Sequence, residues 1–306
     1  MRGGGQLIQL IEDLRSEDLE SQLLVADNGL EARTLRGVSI HGAVIVPMDG
    51  NRGFGAAVNR AARIADGEVL VVMNDDLTLH PGFLAALVAP ITDGATMAAG
   101  VLLQSAAPHL IECAGIEIDR TLGAHDYLRG QPADVLEEEL PPPVAPCGGA
   151  AAYRLDAFRE VRGFDEGFFA YFEDLDLGLR LRAEGGCGAL AQGARAVHAG
   201  SLTLGRASVE KAAVVGFSRG YLLRKYGVLA GPVSGALAVA QETAVSLMLA
   251  GRHRSLAPAT ARLRGWRTCR ARIRRPPEDA VTVGVSDAWR RRYSRARPLR
   301  VSRPAR

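Results

Sequence analysis

The chain has 306 residues, 47% of them hydrophobic, and a net charge of +3, which allows one large α/β domain or two small ones around a sizeable core. The charge is uneven: residues 252–306 carry seventeen arginines against three acids (Glu278, Asp279 and Asp287), so 1–251 is acidic and the basic end is expected to meet an anionic surface. The four cysteines, Cys113, Cys147, Cys187 and Cys269, form no C-x-x-C pair, which excludes that kind of zinc or redox motif and suits free thiols in a reducing cytoplasm.

The first residues, Met1 to Asp13, contain no long apolar run and do not read as a signal peptide. Residues 6–15 predict a helix with Leu7, Ile8, Leu10, Ile11 and Leu14 on one face. Leu23–Ala26 is a short strand ending in Asp27-Asn28-Gly29, a turn signal. A second strand lies within Val38–Pro47. Asn51-Arg52-Gly53-Phe54-Gly55 then leads through Asn59 into a helix reaching about Ala65. Val69–Met73 is a third strand, stopped by Asn74-Asp75-Asp76. Pro81 opens a helix through Leu87, and Met97–Leu103 is a fourth strand. Strands alternating with helices predict an α/β fold, a Rossmann-like, mainly parallel sheet with helices on both faces. Ligands in such sheets sit beyond the strands' carboxyl ends, where Asp27 and Asp75-Asp76 both fall.

From Ile111 to Pro146 the pattern loosens. Cys147-Gly148-Gly149-Ala150 follows, then a helix from about Asp156 to Val161. Residues 164–180 concentrate the chain's scarce aromatics (Phe164, Phe168, Phe169, Tyr171, Phe172) just before the acid pair Glu173-Asp174. A carboxylate in partly dry surroundings can be tuned as a base; acids also simply cap helix N-termini. Ala189–Val197 supplies one or two short strands ending at His198. Ser208–Tyr226 is helical. Val228–Ala250 is charge-free except for Glu242 and about long enough to span a bilayer. Its Ala content and Gln241-Glu242 favour an amphipathic helix on the membrane or packed on the body. The Arg-rich tail, 252–306, shows little periodicity and is expected to be partly disordered.

Several residue groups suit chemistry. Two adjacent carboxylates at a strand end, Asp75-Asp76, can bind a hard cation such as Mg2+ or Mn2+, or stand as solvated turn acids. Gly53 and Gly55 before a helix N-terminus can admit phosphate closely, yet the stretch is neither a P-loop nor the dinucleotide fingerprint. His198 at a strand end is either structural or a metal ligand.

The order of these groups is the specific signal: Asp-Asn-Gly, Asn-x-Gly-Phe-Gly, Asn-Asp-Asp, Gly-Gly, Gly-Phe-Asp-Glu-x-Phe-Phe-x-Tyr-x-Glu-Asp-x-Asp-Leu-x-x-Arg, then His. It resembles the family 2 glycosyltransferases of the GT-A fold, in their bacterial rhamnosyltransferase-like branch, over about residues 6–227. The resemblance implies a GT-A domain over 1–227, with 1–103 as the nucleotide-sugar half and 104–227 as the acceptor half. A C-terminal extension follows, the apolar helix of 228–251 and the tail of 252–306. It implies a nucleoside diphosphate sugar donor, dTDP- or UDP-linked, and inversion at the anomeric carbon. Asp27 and Asn28 would contact the nucleotide base, Asn51, Gly53 and Asn59 would line the nucleotide side, and Asp75 would approach the ribose or sugar. Asp76 and His198 would bind Mg2+ or Mn2+ on the diphosphate. Gly148 and Gly149 would line the acceptor cleft, Asp174 would be the general base and Glu173 would help hold the acceptor. The family's usual first strand is missing before the first helix, which suggests a start further upstream. The expected acceptor is a cell-envelope glycan or a lipid-linked sugar, met by a cytoplasmic enzyme peripheral at the inner face of the membrane. A rival reading is a degenerate, non-catalytic sugar-nucleotide-binding or scaffold protein. Nucleic acid is disfavoured as a partner, because few aromatics interleave the arginines.

Overall fold

The computed structural model describes residues 4–200, 208–270 and 280. An apolar stripe of Leu7, Leu10, Ile11 and Leu14 buries one side of α1 (Gly4–Arg15). There follow β1 (Leu24–Asp27), α2 (Ala32–Ile40), β2 (Val44–Pro47), α3 (Phe54–Ile64), β3 (Val69–Met73), β4 (Leu77–Leu79), α4 (Phe83–Thr92) and β5 (Met97–Gln104). The middle of the chain supplies β6 (Ala107–Cys113), β7 (Ile116–Ile118), β8 (Ala124–Asp126), β9 (Ala150–Arg154), α5 (Leu155–Glu160), α6 (Glu173–Ala183) and β10 (Gly188–His198). Helices α7 (Val209–Lys225), α8 (Pro232–His253) and α9 (Ala257–Thr268) come last.

The central sheet has the order β3-β9-β5-β10-β4, with β6 also on β5. The class is α/β, as the sequence predicts, but strand directions are mixed. β10 is parallel to β5, whereas β9 lies antiparallel between β3 and β5, and β4 and β6 are antiparallel to their neighbours. Strand β9 is what departs from the expected pattern. Its Ala150-Ala151-Ala152 is fully buried, although alanine is a weak strand former. Small side chains fit there because a Cβ on Gly100 of β5 would already lie 3.1 Å from that of Ala150. β1 and β2 form a separate parallel pair with Leu24 opposite Val44. α1 joins the two sheets: Leu7 and Ile11 pack with Val38 and Ala43, while Leu10 and Leu14 pack with Phe83 and Leu87.

Register sets the site. Met73 pairs with Ala150, so Asn74 comes opposite Gly149 and donates its amide to that carbonyl at 3.1 Å. Leu77 pairs with His198, and the amide of Ala199 donates to the Asp76 carbonyl at 3.0 Å. The ends of β3, β9 and β10 therefore meet.

The tail departs from the expected disorder over 252–268, which completes α8 and forms α9; 271–279 and 281–306 lie outside the described residues. α9 packs on α7 backbone to backbone. An added Cβ at Gly216 would collide with the Pro258 carbonyl, at Gly220 with that of Arg262, and at Gly265 with that of Phe217. Helices that approach through glycine leave no apolar periodicity to read. Glu242 of α8 links the three helices through Arg219 Nε at 2.7 Å and Arg262 Nε at 2.8 Å. Among the described residues, α8 alone is long and apolar enough to cross a membrane, with a mean hydropathy of 1.4. Gly235 and Ala238 are its buried positions, while Val233, Leu237, Leu247 and Met248 are exposed.

Candidate active site

The turn into α6 is strained. Tyr171 and Phe172 have φ of 67° and 70°, a left-handed conformation that costs a side-chain-bearing residue roughly 1–3 kcal/mol. It brings Glu173 and Asp174 into the first turn of α6, where the helix dipole favours acids. α7 covers the strained pair: Lys211 Nζ lies 5.4 Å from the Tyr171 ring centroid, and Arg219 Cζ lies 6.0 Å from that of Phe172.

The three acids of this turn have three environments. Asp176 is fully buried and neutralised by Arg180 Nε at 2.8 Å and Lys225 Nζ at 2.6 Å, with the Tyr226 hydroxyl donating at 3.1 Å. It holds the fold and is unavailable as a base. Glu173 is also buried, and its Oε2 has no hydrogen-bond partner among the described residues. Burial, reinforced by Asp174, pushes its pKa up to about 8. Asp174 is partly exposed. Its Oδ2 accepts the Gly148 amide at 3.1 Å and its Oδ1 that of Leu175 at 2.8 Å. Burial raises its pKa, and these amides oppose the rise. A positioned carboxylate with a raised pKa, open on one side, is suited to taking a proton. Gly148 makes the approach, since a Cβ there would lie 2.9 Å from the Phe54 ring.

Asn74 links this carboxylate to a second cluster. Its Nδ2 lies 3.3 Å from His198 Nε2. His198 Nε2 is 3.2 Å from Asp76 Oδ1, and its Nδ1 is 3.3 Å from Glu112 Oε1. Asp76 first, then Glu112, raises the imidazole pKa to about 10. Glu112 is absent from the sequence reading. β6 folds back on β5 beside β10, and no spacing in the sequence marks that approach. Asp75 is exposed beside Asp76.

The donor set fits a divalent cation. Two cis ligands at roughly 2.1 Å from one octahedral ion stand about 3 Å apart, close to the Asp76–His198 separation. Among the described residues no group of three His, Cys, Asp or Glu side chains forms a metal cage. A cation bound by Asp76 and His198 would thus keep positions open for phosphate oxygens.

On the other side of the strand ends, four expected residues form one connected loop cluster. Asp27 Oδ1 accepts the Gly29 and Leu30 amides at 3.1 and 2.8 Å. The Asn28 side chain accepts from the Arg52 amide at 3.0 Å and donates to the Gly53 carbonyl at 3.2 Å. Asn51 Oδ1 accepts the Gly53 amide at 3.0 Å. Gly53 has φ of 92°, and a Cβ there would collide with the Phe169 carbonyl, which accepts the Phe54 amide at 3.1 Å. Asn59 is buried. Its Oδ1 accepts the Phe164 amide at 2.8 Å, and its Nδ2 donates to Phe164 O and Glu166 Oε1 at 2.9 and 3.1 Å. Those bonds pin α3 to the Phe164 turn.

A loop cluster, an Asp/His pair at strand ends and a helix-borne carboxylate are carried on a mixed α/β sheet of the GT-A type. Residues 4–109 match the family model described as "Glycosyl transferase family 2". It is 29% identical over 220 residues to an N-acetylglucosaminyl-diphospho-decaprenol L-rhamnosyltransferase of Mycobacterium tuberculosis, covering 60% of this chain and 68% of that protein. Two solved structures share the fold. The mannosyltransferase PcManGT from Pyrobaculum calidifontis, in complex with GDP-Man and Mn2+, aligns with a TM-score of 0.51 at 17% identity over 86% of this chain and 76% of that one. GalNAc-T7 with UDP, GalNAc and Mn2+ aligns with a TM-score of 0.52 at 15% identity, over 67% of this chain and 42% of that one.

Proposed function

We propose that the protein transfers a hexose or deoxyhexose from a nucleoside diphosphate sugar, with inversion, to a sugar carried on a polyprenyl diphosphate. The observation that supports this reading is the short connection from Asp174 through Gly148, Gly149 and Asn74 to His198 and Asp76, along which a base at Asp174 would stand close to a diphosphate and metal held at Asp76 and His198. The acceptor class follows the mycobacterial relative, whose name specifies such a substrate.

In this reading the acceptor hydroxyl gives its proton to Asp174 as its oxygen forms a bond to the anomeric carbon. The bond from that carbon to the diphosphate breaks, and the electron pair leaves on the diphosphate. A Mg2+ or Mn2+ ion at Asp76 and His198 would supply charge neutralisation for that leaving group. One displacement by one base inverts the centre, and general-base help of this kind is worth roughly 10²–10⁴-fold. Asp176 cannot substitute as the base, because two cations neutralise it, and Glu173 holds its proton at neutral pH. Asp27, Asn28, Asn51 and Gly53 order the loop on the nucleotide side.

The exposed apolar face of α8 would lie on the inner surface of the cell membrane, with Arg254 near its end facing anionic lipid. The test is a panel of sugar nucleotides with Mn2+ and a short polyprenyl-diphosphate-linked acceptor, with NMR of the product's anomeric centre. Transfer with inversion supports the reading. Retention, or donor binding without transfer to any acceptor, would overturn it in favour of another mechanism or a binding role.

A further inference from the structure

A cavity of about 230 Å³ opens between α7, α8 and the β7–β8 hairpin, next to Phe172, two residues before Asp174. Nothing in the transfer chemistry described above uses it. Lys211, Arg219, Arg252 and Arg262 line it against the single carboxylate of Glu242. Glu242 is shared by Arg219 and Arg262, so this largely buried triad keeps a surplus positive charge. A buried ion triad of this kind is not needed for stability, since an apolar replacement often serves as well. Arg219 also donates Nη1 to the Leu122 carbonyl at 2.6 Å and Nη2 to the Thr121 carbonyl at 2.8 Å, so its fork is taken up within the protein, and Lys211 and Arg252 on the lining are the cations that suit recognition of an anion.

The rest of the lining mixes the polar Ser208, Gln241 and His253 with apolar residues. Val245 and Leu249 of α8 face the cavity, next to the stripe in which Leu247 and Met248 are exposed. A ligand held here would therefore have an anionic part at Lys211 and Arg252 and an apolar part running along α8. Phe172 is part of the lining, and Arg219 Cζ lies 6.0 Å from its ring centroid. The same residue that holds the strained turn before Asp174 thus also lines the cavity.

We propose that this cavity binds the diphosphate of a polyprenyl-diphosphate-linked acceptor, with the first isoprenoid units against Val245 and Leu249 and the sugar directed past Phe172 toward Asp174. The assignment rests on the transferase reading for the identity of the acceptor, but the site can be tested without turnover.

The probe is farnesyl diphosphate, titrated into the full chain by calorimetry in EDTA, so that binding through a divalent metal at Asp76 and His198 is excluded. Two variants alter the cavity from opposite sides: Arg252→Glu reverses a charge and Val245→Trp fills the volume. Affinity for the donor nucleotide with Mn2+ serves as the control for folding. The expected result is farnesyl diphosphate binding in EDTA that weakens about tenfold or more in each variant, with nucleotide affinity retained, and much weaker binding of inorganic pyrophosphate. Wild-type binding that vanishes in EDTA, or binding unaltered in Arg252→Glu, would overturn the proposal. Loss of turnover in Asp174→Asn bears on the transferase reading alone and leaves this binding intact.

Discussion

The Gly148 amide donates to Asp174 Oδ2 at 3.1 Å, and the neighbouring Gly149 carbonyl accepts the amide of Asn74, whose side chain lies 3.3 Å from His198. The Asp174 carboxylate and the Asp76–His198 pair are thus held by one strand crossing, β9 on β3, rather than by separate loops. A site built on paired strands keeps its geometry better than one built on loops.

Gly148→Ala is expected to reduce kcat about tenfold and to lower stability by about 1–2 kcal/mol. The new methyl group would meet the Phe54 ring at 2.9 Å, and overpacking carries a cost of that order. Steady-state kinetics and thermal melting check this, with nucleotide affinity expected to stay near the wild-type value.

Glu173→Gln is expected to stabilise the protein at alkaline pH. The folded chain holds the Glu173 proton up to about pH 8, against a normal value of 4.5. Between those values the native state binds more protons than the unfolded one, so stability falls as pH rises through the window. Glutamine removes that dependence. A gain of about 1 kcal/mol would raise Tm by roughly 2–4 °C at pH 8, with little difference near pH 4. Melting curves across pH decide it, and equal slopes for both proteins would contradict it.

Asp76→Asn and His198→Ala are each expected to abolish tight Mn2+ binding, read by electron paramagnetic resonance of the free ion. Glu112→Gln should weaken it by about 10–100-fold, the usual effect of removing the group that orients a ligating imidazole. Unchanged Mn2+ affinity in Glu112→Gln would leave Glu112 as a surface neighbour of His198 only.

Leu237→Glu combined with Leu247→Glu is expected to reduce sedimentation with anionic liposomes several-fold, because both residues are exposed on the apolar side of α8. The double variant should keep its nucleotide affinity.

Much of this site is legible in the sequence because punctuation falls at strand ends. Asp27-Asn28-Gly29, Asn74-Asp75-Asp76 and the Gly53 turn each interrupt an apolar run, and the carboxyl ends of strands are where such sheets bind ligands. Strand β9 is not legible, since three buried alanines carry no strand signal. α9 escapes periodicity because Gly216, Gly220 and Gly265 make its interface. Asn59 shows the same limit: on α3 it falls in register with Gly55 and Ala62, which are buried, so a polar residue near a glycine turn faces inward. Glu112 acquires its role only when β6 folds onto β5, a contact no local pattern encodes.

The most direct test of the account is Asp174→Asn, compared with wild type in single-turnover transfer and in nucleotide binding. The account predicts nucleotide affinity within about twofold of wild type and a transfer rate lower by roughly 10²–10⁴-fold. A variant that transfers sugar at the wild-type rate would show that Asp174 is not the base.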